Sequence, residues 1–311
     1  MMRCTRENFD MKLNEYKNIS NEVYEFSTYL YKRIIEECQR LPKQMSKINV
    51  SVYNEGNFVV KENATPNWIF KGIDELNVSY IMYYTDDVRN YNFVMRSIGG
   101  KANSQSDYET KSMRIVSGFI DGDASPDFLA TICHEANHLF EYDNGREKRI
   151  GLYERVVSLI QSEDDAAQAV GQAIYYTFPH EIDAFVHQFY GFLKQEDPSH
   201  LTFEQLLQHS AYYNLKRLYD YIIAKNDNTS IGGYINYLGY RKRDFIKRLK
   251  FGMKRLLSKL KNAYLRYLHD STPINEGRIH WLMERDYHRH LCCEQYNEEI
   301  KWGIESIYNF N

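Results

Sequence analysis

Long apolar runs are absent from this 311-residue chain: nowhere do about eighteen apolar residues follow one another, the length that a membrane-spanning helix requires. The stretch from Met1 to Ser20 is charged throughout and has no apolar core followed by small residues, which argues against a secretory leader. Cysteine is scarce, with five residues (Cys4, Cys38, Cys133, Cys292 and Cys293) at irregular spacing. An odd, irregular set fits neither a disulfide framework nor a structural zinc cage, so a reducing, cytoplasmic setting is expected. Excess charge is missing too. With 39 basic and 42 acidic residues the formal net charge is −3, too small for a chain that binds nucleic acid or membrane over its whole surface. Any such contact has to come from a local patch.

The composition, 43% apolar and 26% charged, is that of a folded protein rather than a disordered one. Between Lys12 and Leu41, Val23, Phe26, Leu30 and Ile34 recur at helical steps until Pro42 ends the run. Short alternating segments follow at Ile48 to Tyr53, Phe58 to Val60, Val78 to Tyr84 and Met113 to Ile120, and these predict strands of a small sheet. After Gly122 the period becomes helical, through Phe128 to Tyr142, Arg149 to Ile160, Ala166 to Tyr176, Ile182 to Leu193 and Thr202 to Ala224. The polar stretch from Asn226 to Gly233, ending in Gly-Gly, predicts a hinge or boundary. The expected fold is α+β and predominantly helical, with a small mixed sheet confined to the N-terminal side.

Chemistry concentrates at Ala130-Thr-Ile-Cys-His-Glu-Ala-Asn-His138. His-Glu-x-x-His puts two imidazoles one helical turn apart, the arrangement that grips a zinc ion. The local signals support a helix there: Ser125 suits the N-cap, Pro126 the first turn, Asp127 the positive end of the dipole, and Asn144-Gly145 a C-terminal stop. At 100° per residue Phe128, Leu129, Ile132, Ala136, Leu139 and Phe140 share one arc, with His134 and His138 opposite. The imidazoles are therefore expected to face away from the main core, which leaves two solvent-exposed surface histidines as the bland alternative. A catalytic zinc needs a third protein ligand and an open position. The metzincin extension does not supply it, because Glu141 and Asn144 stand where that pattern has Gly and His.

The next candidate segment is Phe178-Pro-His-Glu-Ile-Asp-Ala-Phe-Val-His-Gln-Phe-Tyr190, where Pro179 opens a helix with Ile182, Phe185, Val186, Phe189 and Leu193 on its apolar face. Glu181 lies off that face, in the first turn; an acidic residue there also suits the helix dipole. Here the chain resembles the gluzincin branch of the zincin metallopeptidases, in which H-E-x-x-H is followed on a later helix by a glutamate ligand, often within E-x-x-A. That pattern reads Glu181-Ile-Asp-Ala184. The resemblance spans roughly Met113 to Tyr190 and implies a zincin-like core with one catalytic zinc on His134, His138 and Glu181, with His180, Asp183 and His187 as rival third ligands. Glu135 is then the base that takes a proton from water made acidic by the ion and returns it to the leaving amine. The resemblance also implies that the strand before the motif helix, Met113 to Ile120, is an exposed edge that pairs with a peptide or protein substrate. Tyr175, Tyr176, His187 or Tyr190 could donate to the oxyanion, and Asp183 could orient a ligand histidine.

On this reading residues 1–195 form a zincin-like metallopeptidase domain and 196–311 a helical C-terminal subdomain. Within the latter, Arg241 to Lys261 holds ten Lys or Arg against one acidic residue, Asp244, beside an apolar stripe of Phe245, Ile246, Leu249, Met253, Leu256, Leu257 and Leu260. Such a helix could meet nucleic acid, with Lys254 and Arg255 as contacts, an anionic membrane surface or an acidic protein. The favoured expectation is that its stripe docks on the body and leaves its charges in water. A catalytically silent zincin-like module that binds or assembles through residues 241–261 is the competing function; retention of Glu135 argues for the enzyme. His280, His288, His290, Cys292 and Cys293 match no zinc spacing, since adjacent cysteines rarely share one tetrahedral ion.

Overall fold

Ser20 accepts a hydrogen bond from the Val23 N–H and so caps the first helix, α1 (Asn21–Arg40). Val23, Phe26, Leu30, Ile34 and Cys38 form its buried stripe, and the chain turns extended at Leu41, ahead of Pro42. This is a computed structural model, and it describes residues 20–45, 52–65, 68–98, 104–143, 150–198, 201–225 and 229–270. The segment Lys12 to Ile19, the Asn144-Gly145 stop and the cysteine and histidine group beyond residue 279 lie outside the described residues.

A mixed sheet follows, built from β1 (Gln44–Met45), β2 (Val52–Lys61), β3 (Glu75–Thr85), β4 (Gln105–Asp107), β5 (Ser112–Ile120) and β6 (Asp123–Ala124). Its order is β1-β2-β3-β5-β4, with β6 on the far end of β5. The strands expected at Ile48 to Tyr53 and Phe58 to Val60 belong, from Val52 on, to the single strand β2, which pairs antiparallel with β3 along its whole length. β3 and β5 are parallel, and parallel neighbours need a crossover. That crossover holds α2 (Val88–Ile98), a helix absent from the sequence-based expectation.

One expectation is overturned here. The strand that leads into the motif helix is interior, not a free edge: β3 pairs it on one side, while β4 covers Ser112 to Arg114 and β6 covers Phe119 and Ile120 on the other. Between them the Ser104 hydroxyl accepts the Val116 N–H at 2.9 Å. Position in the sheet order makes β4 the edge strand on this side, with β1 at the other end.

The motif helix is α3 (Phe128–Asp143), followed by α4 (Ile150–Ile160), α5 (Asp165–Tyr175), α6 (Pro179–Glu196), the short α7 (Phe203–Leu206), α8 (Ala211–Ala224), α9 (Thr229–Tyr237) and α10 (Lys242–Asp270). Phe128, Ile132, Ala136 and Leu139 of α3 join the core formed with α1 and the sheet. Its opposite side is covered by α6, running antiparallel. Gln195, near the end of α6, accepts the Leu129 N–H at 2.9 Å and donates to the Ser125 carbonyl at 2.6 Å. Ser125 is thus not the side-chain cap expected from sequence; its hydroxyl bonds the Asp127 carboxylate, which also takes the Tyr91 hydroxyl at 3.0 Å. In the middle of the pair Gly191 faces Ala130 and Cys133 so closely that a Cβ there would lie 2.8 Å from the Cys133 Sγ.

Thr202 to Ala224 is not one helix. A capping box starts α7 at Thr202, a 3-10 turn (Leu207–His209) follows, and extended Ser210 breaks the run before α8. Of the stretch Asn226 to Gly233, expected as a hinge or boundary, residues 226–228 lie outside the described residues, while Gly232 and Gly233 lie inside α9, whose Ile231 and Ile235 are buried. Burial of those two side chains outweighs the low helix propensity of the glycines. No described helix is long and apolar enough to cross a membrane.

Overpacking at the close approach of Gly191 to α3 tests how tightly the two helices must meet. Gly191→Ala is expected to cost about 1–3 kcal/mol, read as a lower urea midpoint at unchanged slope; an unchanged midpoint would mean that the helices tolerate wider separation.

Candidate metal centre

His134 and His138 stand one turn apart on α3 and point at α6 rather than at solvent. Their side chains are 12% and 21% exposed, so they are not the surface pair of the bland alternative. Their Nε2 atoms are 3.0 Å apart. Glu181, in the first turn of α6 and buried, brings its Oε2 to 3.6 Å from the His134 Nε2 and 3.4 Å from the His138 Nε2. Pro179 opens α6 with Phe178 as an extended N-cap, which fixes where that first turn begins.

These three donors are the group among the described residues that could hold a metal ion. Ligands about 2.1 Å from a tetrahedral ion stand about 3.4 Å from one another, and the three separations here bracket that value. The Glu181 Oε2 is buried and accepts no hydrogen bond, while its other oxygen, Oε1, lies 3.3 Å from the His180 Nε2. The donor set therefore fits a single cation with a one-oxygen carboxylate ligand.

Electrostatics agree. Burial pushes the His134 imidazole down to about 3, and the neighbouring His138 pushes the same way, so His134 offers a lone pair. For Glu181 burial acts upward, but His138, His180 and His134 outweigh it and hold the carboxyl well below its usual range. For His138 burial acts downward, and the carboxylates of Glu181, Glu135 and Glu141 outweigh it and raise the ring. Positive charge is thus favoured between these groups. Glu135 is buried, and burial raises its carboxyl to about 7, with His138 and Ser106 of β4 acting in the opposite direction.

The other residues singled out by sequence divide. Tyr175 is half-buried, and its hydroxyl, hydrogen-bonded to Glu181, is raised well above its usual range by desolvation and by that carboxylate. Tyr176 is raised by burial and less by Glu181, and its ring packs 4.8 Å from Phe185. Tyr190 points to the other side of α6, edge-on to Tyr24 at 5.4 Å. Asp183 forms an ion pair with Lys259 of α10. Both ring nitrogens of His187 are engaged away from the donors: Nε2 accepts the Ser20 N–H at 3.0 Å and Nδ1 donates to the Asp183 carbonyl at 2.9 Å.

Sequence reasoning missed Tyr153 of α4. Its ring lies 6.0 Å from Phe178 and 6.1 Å from His180, and its hydroxyl is pushed up to about 12 by burial and by the charges of Glu181 and Glu135. It missed Phe185 as well, 4.9 Å from the His134 ring. Nothing local marks Tyr153 among 27 tyrosines. Phe185 was visible only as part of an apolar face.

No protein family, curated protein or solved structure matches this chain. The site stands on its own geometry.

His187 gives a pH signature separate from the metal donors. Burial pushes it down to about 4 against an unfolded value near 6.5. The unfolded chain therefore binds more protons between these values, and stability falls as pH drops through that window. Up to roughly 3 kcal/mol is lost this way. Thermal unfolding of wild type and His187→Gln between pH 7 and pH 4 is expected to show a shallower decline in the variant; parallel curves would place the titration elsewhere.

Proposed function

We propose that this chain is a zinc metallopeptidase of the zincin type, hydrolysing peptide bonds with zinc on His134, His138 and Glu181 and with Glu135 as general base. The observation that carries this reading is the convergence of the three donors at 3.0 to 3.6 Å with a buried carboxylate next to the first of them in sequence. A purely structural cage closes its fourth position with another cysteine or histidine, and no fourth such residue joins the group among the described residues. Supporting the zincin reading further, a strand, the motif helix, intervening helices and the ligand helix follow one another in the order that the resemblance implies.

When bound, zinc supplies the positive charge that acidifies a water molecule and polarises a peptide carbonyl. Glu135 receives the water's proton and hands it to the leaving amine. His180, whose Nε2 lies 3.3 Å from the Glu181 Oε1, and Tyr175 flank the carboxylate, whose other oxygen faces the imidazoles. Tyr153, whose phenol lies in the field of both Glu181 and Glu135, is the donor assigned to the carbonyl oxygen as it gains charge. The substrate backbone pairs with β4 rather than β5, because β4 ends the sheet and packs beside α3.

Metal analysis and peptide cleavage test this together. Wild type is expected to retain one zinc per chain and to cleave unstructured protein substrates. Glu135→Gln should keep the zinc and lose at least about 100-fold in rate, whereas Glu181→Ala should lose the metal. A metal-free wild type, or a Glu135→Gln variant that cleaves like wild type, sinks the proposal.

A further inference from the structure

The expectation that the basic helix docks its apolar stripe holds. Phe245, Leu249, Leu256 and Leu260 of α10 are all fully buried, and Lys259 and Arg248 face inward, pairing with Asp183 and with the Thr177 hydroxyl. What this leaves outside is ordered. At 100° per residue Arg243, Lys247, Lys254 and Lys261 fall within about 40° of arc, on the side opposite the buried stripe. They are exposed and, among the described residues, have no ion-pair partner. The four form a straight cationic ridge roughly 27 Å long. Phe251, 68% exposed, sits one turn from both Lys247 and Lys254.

We infer that this ridge binds single-stranded nucleic acid, its cations tracking the phosphates and Phe251 stacking on a base. Three considerations select this partner from the polyanions that a row of cations could meet. A helix that lies on a bilayer turns its apolar face to the lipid, and the apolar face of α10 is already committed to the protein interior. A helix that reads duplex DNA contacts base edges in the major groove chiefly through forked side chains, and this ridge offers one arginine against three lysines. An exposed aromatic ring among cations is, by contrast, the pairing used on unpaired strands, where every base offers a face to stack on. Three of the four cations are lysines, which act as point charges rather than as forked base readers, so little sequence preference is expected.

Fluorescence anisotropy with a labelled oligothymidylate tests the inference on the full chain. Four phosphate contacts predict a log–log salt slope of about −3, so that a fourfold rise in salt weakens binding about 50-fold. Lys247→Gln with Lys254→Gln should halve the slope, while Phe251→Ala should weaken binding about tenfold and leave the slope unchanged. None of these residues touches the metal donors, so the outcome is independent of the peptidase reading. Duplex of the same length bound equally well, with no effect of Phe251→Ala, would overturn the single-strand assignment. Binding that all three substitutions leave intact, or stronger retention on phosphatidylserine vesicles than on the oligonucleotide, overturns the inference as a whole.

Discussion

The antiparallel contact between α3 and α6 is the constraint on which the rest of the molecule depends. Neither helix carries a complete set of donors: α3 brings two imidazoles, and only the approach of α6 adds the carboxylate. Small residues set that approach. Ala130, Cys133, Ala184 and Gly191 are buried at or near the contact, and where backbones come this close a side chain of any size has no room. The pair is pinned at both ends, by Gln195 bridging to Ser125 and Leu129 at one and by the donor cluster at the other. What sits between is rigid because it is packed, and a metal ligand set has to be held within a fraction of an ångström to select one coordination geometry.

Burying Glu135, Glu181 and two imidazoles against each other works against folding unless charge is matched. Transfer of an unpaired carboxylate into a protein interior costs several kcal/mol, and two lie here within reach of one another. The opposite displacements of Glu181 and His138 reflect one attraction, each group favouring the charged form of the other. A divalent cation would meet the same charges with a larger charge of its own, engaging a lone pair of each of the three donors. Were a metal ion held there, its binding and the stability of the α3–α6 pair would rise together.

What could be read from sequence follows how local each signal is. His134 and His138 were legible because their geometry is fixed by a single helical turn. Glu181 was legible only through its place in the first turn of a helix opened by Pro179, and His180 and Asp183 stayed open as rivals until tertiary structure placed one beside Glu181 and the other against Lys259. The edge strand β4 was not legible, since Gln105-Ser-Asp107 has no alternation and is a strand only because β5 lies next to it. α2 was readable and overlooked: Asp87 accepts the N–H groups of Arg89 and Asn90 as a cap, and Tyr91, Val94, Met95 and Ile98 follow at helical spacing. The Gly-Gly pair failed as a signal because propensity is a weak prior against two buried isoleucines.

α10 links the donor cluster to the outer row of cations. Its inward side closes over the first turn of α6, with Gly252 against Thr177, Arg248 on the Thr177 hydroxyl and Lys259 on Asp183. Asp183 follows Glu181 by two residues, so the ion pair anchors the turn that presents the third donor. Such a pair adds little net stability compared with apolar packing, yet removing one partner strands a buried charge. Its contribution is therefore positional: it fixes the register of α10 on α6 and, with that register, which of the helix's cations turn inward and which line up along the outside.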